Sequence, residues 1–127
     1  MTQTILNVGG GSRNLPPNYA GWEQDLLDID KNVNPDICCD AKEMSSHTLK
    51  RYDVVYMSHV IEHFYKHDVP VVLAECLRVL KPGGYVEIHT PNFRKALDEM
   101  LARNLDVTDV WYRLGDGTPI TFHDTIH

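Results

Sequence analysis

Apolar residues gather in four short runs, at 5–8, 26–29, 54–57 and 85–88, separated by stretches in which polar residues dominate. Short apolar runs bounded by turn residues predict buried strands. Between the last two runs the period changes. Val69, Val72, Leu73, Cys76, Leu77 and Leu80 recur at i, i+3, i+4, i+7, i+8 and i+11, which places them on one helical face. Asp68 is placed to cap that helix and Pro70 falls in its first turn. Pro82-Gly83-Gly84 predicts its end, after which residues 85–90 alternate at period two. A second helix is predicted over 93–103, where Phe93, Ala96, Leu97, Met100 and Leu101 share a face behind a capping Asn92. Strands alternating with helices predict an α/β domain with a mainly parallel sheet.

Two stretches break this pattern. Between 12 and 22, Pro16, Pro17 and Gly21 argue against a crossover helix and predict an irregular loop. Beyond 103 the chain offers a Gly-Asp-Gly-Thr-Pro turn at 115–119 and one short run at 120–122, so no further strand pair is predicted. The strand at 85–90 is then an edge, and proteins cover such edges. A homodimer pairing through this fifth strand, strand exchange, or burial under residues 107–127 would each do so.

Size and composition narrow the class. With 127 residues, 43% hydrophobic and 24% charged, the chain predicts one domain over 1–127 with one core. No apolar run approaches the roughly 20 residues of a membrane span, and the first residues lead into a strand without a signal peptide, so a soluble, cytoplasmic protein with no membrane partner is expected. A net charge of −6, with 12 Lys and Arg scattered and never in a run, argues against nucleic acid. Three cysteines, Cys38, Cys39 and Cys76, are an odd number whose adjacent pair cannot readily bridge, and they read as reduced core thiols. His59 and His63 stand at i, i+4 with Glu62 between them, but His-Val-Ile-Glu-His differs in order from the zinc-protease pattern, and no metal site is predicted.

The chemistry concentrates at two strand ends. Gly9-Gly10-Gly11 follows the first apolar run, and Asp28, Ile29 and Asp30 close the second. Glycines there let a ligand lie against bare backbone, and a carboxylate on the neighbouring strand can accept hydrogen bonds from both ribose hydroxyls. That is a nucleoside site. Gly-Gly-Gly-Ser-Arg lacks the Gly-x-Gly-x-x-Gly spacing and the following helix that would cradle the pyrophosphate of a nicotinamide dinucleotide.

Taken in order, Asn-Val-Gly-Gly-Gly (7–11), Leu-Asp-Ile-Asp (27–30), Pro-Asp-Ile-Cys-Cys-Asp-Ala (35–41), the segment 52–64 with Ser-His-Val-Ile-Glu-His, and Leu-Arg-Val-Leu-Lys-Pro-Gly-Gly (77–84) resemble the class I S-adenosylmethionine-dependent methyltransferases. The resemblance spans residues 5 to about 92. It is nearest to small predicted methyltransferases that replace the first crossover helix by a loop, several of them associated with surface-polysaccharide genes.

The resemblance implies a Rossmann-like core, here without the C-terminal antiparallel hairpin that members of the fold generally carry. It implies S-adenosylmethionine as cofactor. Gly9, Gly10 and Gly11 would approach its methionine part, Asp28 beside Ile29 would hold the ribose diol with Asp30 as the fallback, and Asp40 with Ala41 would receive the adenine amino group. Ser58 and His59 would face cofactor and acceptor. His59 and His63 are the candidate bases, Glu62 can orient an imidazole or bind a substrate hydroxyl, and Glu87 and His89 share a face of the fifth strand. Transfer to a small-molecule or glycan acceptor is one implied function. A non-catalytic nucleoside-binding remnant or regulatory domain is the other.

Overall fold

The computed structural model describes residues 2–58, 60 and 68–89, and the backbone of 111–113 and 119–121. The predicted helix over 93–103 and the candidates His59, Glu62 and His63 lie outside the described residues.

The strands are β1 (Thr4–Val8), β2 (Glu23–Asp28), β3 (Ile37–Cys38), β4 (Tyr52–Ser58), β5 (Leu80–His89), β6 (Trp111–Arg113) and β7 (Pro119–Thr121), with helices α1 (Met44–His47) and α2 (Val69–Arg78). They form one sheet in the order β3-β2-β1-β4-β5-β6-β7. Pairing is parallel from β3 through β6, and β7 runs antiparallel to β6. This is the α/β, Rossmann-like architecture expected. Strand order reverses between β1 and β4, and ligands of open α/β sheets bind beside the carboxyl ends of strands at such a point. Among the described residues no helix is long and apolar enough to cross a membrane.

The expectation of a missing hairpin is corrected. β6 pairs with β5 from Tyr85↔Trp111 to Glu87↔Arg113, and β7 folds back on β6. The edge that motivated pairing between two copies is therefore filled by the chain's own tail. Strands of three residues are too short for a period-two pattern to register in sequence, which is why the hairpin was not predicted.

Alternation along each strand divides the sheet into two faces. Leu6, Val8, Val55, Met57, Val86 and Ile88 meet Val72, Leu73 and Cys76 of α2 in the main core. Ile5, Val54 and Tyr56 form a second cluster with Tyr19, against which Leu15, Trp22 and Tyr85 pack. Residues 12–22 thus supply on that face the cover that a crossover helix would give, and their only regular part is a 3-10 turn at Pro17–Tyr19.

That loop is held by a buried phenol. The Tyr19 ring stands edge-on to Trp22 at 4.9 Å between centroids, and its hydroxyl donates to Glu87 Oε1 at 2.7 Å. With its proton spent there, the Tyr19 oxygen accepts from the Tyr85 hydroxyl at 2.8 Å. Burial, reinforced by these bonds, pushes the Tyr19 phenol far above its ordinary value.

Local details of the α2 to β5 connection differ from expectation. Asp68 has helical dihedrals (φ −86°, ψ −21°) and makes no side-chain cap; its carboxylate lies 3.7 Å from Lys42 Nζ. The helix stops at Arg78, because the Val79 carbonyl is claimed by the Tyr52 amide at 2.8 Å. Leu80 consequently pairs with Tyr52 in the sheet, and Lys81–Gly84 bulge out of β5 before Tyr85 rejoins the ladder opposite Val54. Pro82-Gly83-Gly84 therefore shapes a bulge within the strand instead of ending the helix. Of the thiols, Cys39 and Cys76 are buried as expected, whereas Cys38 is exposed because β3 is short and at the sheet edge.

A buried carboxylate ties α1 to α2. Glu75 accepts from the Ser45 amide at 3.0 Å and from the Ser45 hydroxyl at 2.8 Å, and pairs with Arg78. Burial opposes its charge, but these donors prevail and hold its carboxyl below the usual value.

Two outcomes test these anchors. Tyr19→Phe removes one hydrogen bond to a buried carboxylate and should cost about 1–3 kcal/mol in urea unfolding, with faster amide exchange across 12–22; unchanged stability would show that the phenol does not hold the loop. Because the Glu75 carboxyl is depressed in the folded state, its stabilisation is complete above the unfolded value and is lost as pH falls through the folded one. The urea midpoint of Glu75→Gln should therefore fall less steeply than wild type in acid, and parallel pH curves would contradict the assignment.

Candidate functional site

Val8 ends β1 and the chain then turns through glycines. Gly9 adopts φ +71°, and a Cβ there would come within 2.8 Å of Val60 Cγ1, so both conformation and space exclude a side chain. Its amide donates to Leu27 O at 2.7 Å, continuing the β1–β2 ladder one residue past the strand. Gly11 also lies in the left-handed region, at φ +65°. Its amide reaches Asp28 Oδ2 at 3.1 Å while Asp28 Oδ1 accepts from the Asp30 amide at 2.9 Å. One carboxylate at the end of β2 therefore fixes the turn after β1 and the turn after its own strand. Each Asp28 oxygen retains accepting capacity for a ligand.

Two cavities flank Gly9. The first, of about 210 Å³, has apolar walls that include Val8, Leu27 and Val60, with Asp28 and Asp40 as its carboxylates. Ile29, 69% exposed, and buried Ala41 also line it. Asp40 Oδ1 accepts from the Lys42 amide at 2.9 Å, capping the 3-10 turn at Ala41–Glu43 and leaving its other oxygen 3.8 Å from Lys42 Nζ. Cys39 completes the wall; burial, with Asp40 and Glu43 nearby, pushes its thiol up to about 11, so it stays protonated and serves as an apolar surface.

The second cavity, of about 520 Å³, is more polar and lies on the loop-covered face. Gly10, Asn7, Tyr56 and Ser58 meet Ser12 and Pro16 there. Asn7 Nδ2 donates to Ser12 O and to Gln24 Oε1, both at 2.9 Å, which ties the start of the loop to β1 and β2. Asn7 Oδ1 is buried and has no hydrogen-bond partner among the described residues. A buried carbonyl oxygen without a donor costs on the order of 1–3 kcal/mol, which a bound donor would recover.

The fold thus brings Gly9, Asp28, Ile29, Asp40 and Ala41 to one cavity and Gly9, Gly10 and Ser58 to the other. Gly11 lines neither and acts through Asp28. Asp30 turns away to cap the 3-10 turn at Lys31–Val33, its Oδ1 accepting from the Asn32 amide at 2.9 Å, and lines neither cavity. Asn7, Tyr56 and Val60 were missed from sequence. Asn7 and Tyr56 lie within runs read there only as buried strands, although an amide two residues before a glycine turn was a signal that could have been used.

Beside the polar cavity a second set of side chains converges. Register places Tyr56 opposite Glu87 and Ser58 opposite His89. The Glu87 carboxylate is buried, and its Oε2 lies 2.7 Å from His89 Nε2. The His89 ring is 5.6 Å from the Tyr56 ring, centroid to centroid.

The comparisons with known proteins agree with this geometry. The chain has no match among curated proteins. A family model described as "Methyltransferase domain" matches it over residues 2–124, nearly its whole length. With the reversal of strand order, the glycine turn and the carboxylate opposite it in place, the chain belongs to the methyltransferase domain family.

Proposed function

We propose that this protein is an S-adenosylmethionine-dependent methyltransferase acting on a small-molecule or glycan acceptor. The observation that carries the reading is the pair of cavities meeting at Gly9, one apolar with two carboxylates, the other polar and lined by Asn7, whose buried amide oxygen has no partner among the described residues. The residues fit the two halves of that cofactor. Val8, Leu27 and Ile29 would pack on the adenosine, Asp28 would accept from the ribose hydroxyls and Asp40 from the adenine amino group. Gly9 would let the chain of the ligand pass between cavities, and Asn7 Oδ1 would accept from its ammonium group.

Bound there, S-adenosylmethionine supplies a methyl group on a sulfonium whose departing thioether is neutral. The work left to the protein is to align a nucleophile and exclude water. Ser58 and Tyr56, lining the polar cavity, would contact the acceptor, and Pro16 and Leu15 of the loop would close over it. His59, Glu62 and His63 follow Ser58 in the chain and are nominated for acceptor chemistry by the family resemblance.

Titration calorimetry tests the cofactor. Micromolar binding of S-adenosylmethionine and S-adenosylhomocysteine, with none of NADH, is expected. Asp28→Ala should weaken binding by about 1–3 kcal/mol, the cost of charge-assisted hydrogen bonds. Unchanged affinity in that variant would remove Asp28 from the ribose, and no binding by the wild type would remove the cofactor.

A further inference from the structure

We infer that His89, oriented by the buried Glu87 carboxylate, is the proton acceptor for a hydroxyl-bearing methyl acceptor held in the polar cavity. The inference rests on the methyltransferase reading above and assigns to β5 the role for which the resemblance nominates His59 and His63.

A buried carboxylate is retained only when its oxygens are satisfied. Tyr19 donates to Glu87 Oε1 at 2.7 Å, and His89 Nε2 lies 2.7 Å from Oε2. An ionised carboxylate can only accept, so the neutral imidazole must place its proton on Nε2. The Tyr85 hydroxyl, donating to Tyr19, extends this chain of protons directed toward the carboxylate. The tautomer is thus set from behind, leaving His89 Nδ1 as the basic nitrogen.

That nitrogen has no bond to a described residue, and the His89 side chain is 29% exposed, unlike Glu87 at 4%. Its neighbours on β4 are Ser58, directly opposite in the ladder, and Tyr56, whose ring it approaches, and both line the polar cavity. A carboxylate, an imidazole fixed by it and an adjacent ligand-sized space form the arrangement that general-base catalysis requires.

The acceptor oxygen forms its bond to the methyl carbon as the carbon–sulfur bond breaks, and that electron pair returns to sulfur. The hydroxyl proton passes to His89 Nδ1. The resulting imidazolium is paired with Glu87, and its exposed side can return the proton to water. An alcohol or phenol needs such a base because its neutral oxygen is a poor nucleophile. Glu87 is a positioning residue, since it acts through His89.

Nitrogen-15 NMR of the full chain without ligand, under conditions where the imidazole is neutral, tests the tautomer first. The proton of His89 should be on Nε2. In Glu87→Gln the amide can donate to Nε2, and the proton should move to Nδ1 while the rest of the spectrum is kept. A wild-type proton on Nδ1, or the same tautomer in both proteins, overturns the inference. Phenol is then titrated as the hydroxyl probe, with anisole, which has the ring but no O–H, as its control. A shift of His89 Nδ1 with phenol alone supports the assignment, and equal shifts with both, or none with phenol, overturn it. Calorimetry separates this from the cofactor reading. His89→Gln should bind S-adenosylmethionine as wild type does, whereas lost affinity would place His89 in the cofactor site and overturn its role as base. Failure of the wild type to bind S-adenosylmethionine would instead overturn the methyltransferase reading, and the proton-transfer role with it, whatever the tautomer.

Discussion

Asp28 accepts hydrogen bonds from the amides of Gly11 and Asp30, and most of the site depends on that double engagement. The first bond holds the glycine turn after β1 against β2; the second sets the direction in which the chain leaves β2. Between them they leave the Asp28 carboxylate 7% exposed at the wall of the apolar cavity. Glycine at position 9 is required because Val60 occupies the space that a Cβ would need. Two strand ends and one carboxylate are thereby made into a rigid edge at the wall of the apolar cavity.

The other face of the sheet solves a different problem. Without a crossover helix between β1 and β2, eleven residues must cover it, with few backbone hydrogen bonds of their own. The chain compensates with side chains. Asn7 and Gln24 bind the backbone of Ser12 and Arg13, Arg13 pairs with Asp36 at 2.8 Å, and Tyr19 reaches Glu87. The loop that roofs the polar cavity is therefore tied to β1, β2 and β5. The same buried carboxylate that anchors the loop through Tyr19 also bonds to His89.

Much of this was legible in order along the chain. The apolar runs marked β1, β2, β4 and β5 because a strand buried on both faces needs nearly continuous hydrophobicity. Prolines 16 and 17 with Gly21 foretold the loop, and the glycine run with Asp28 marked two strand ends that the fold brings to one cavity. Other features were not legible. β3, β6 and β7 are two or three residues long and leave no period to read. Leu80 continued the helical stripe in sequence, yet the claim of the Tyr52 amide on the Val79 carbonyl drew it into the sheet. Asp30 stood as the fallback for Asp28, and only the fold showed one at the cavity wall and the other spent as a cap.

By itself the sequence determined the class of the domain and marked the strand ends at which its glycine turn and carboxylates stand. These follow from local rules, since apolar runs, glycines and strand-end carboxylates carry their meaning within a few residues. Tertiary structure alone decided that Asn7 Oδ1 has no partner among the described residues, that Tyr19 and Glu87 meet across 68 positions, and that His89 stands beside Tyr56 and Ser58. Those pairings depend on strand register and on how a loop folds over a sheet, and no local pattern encodes which distant side chains such a register will bring within hydrogen-bonding distance.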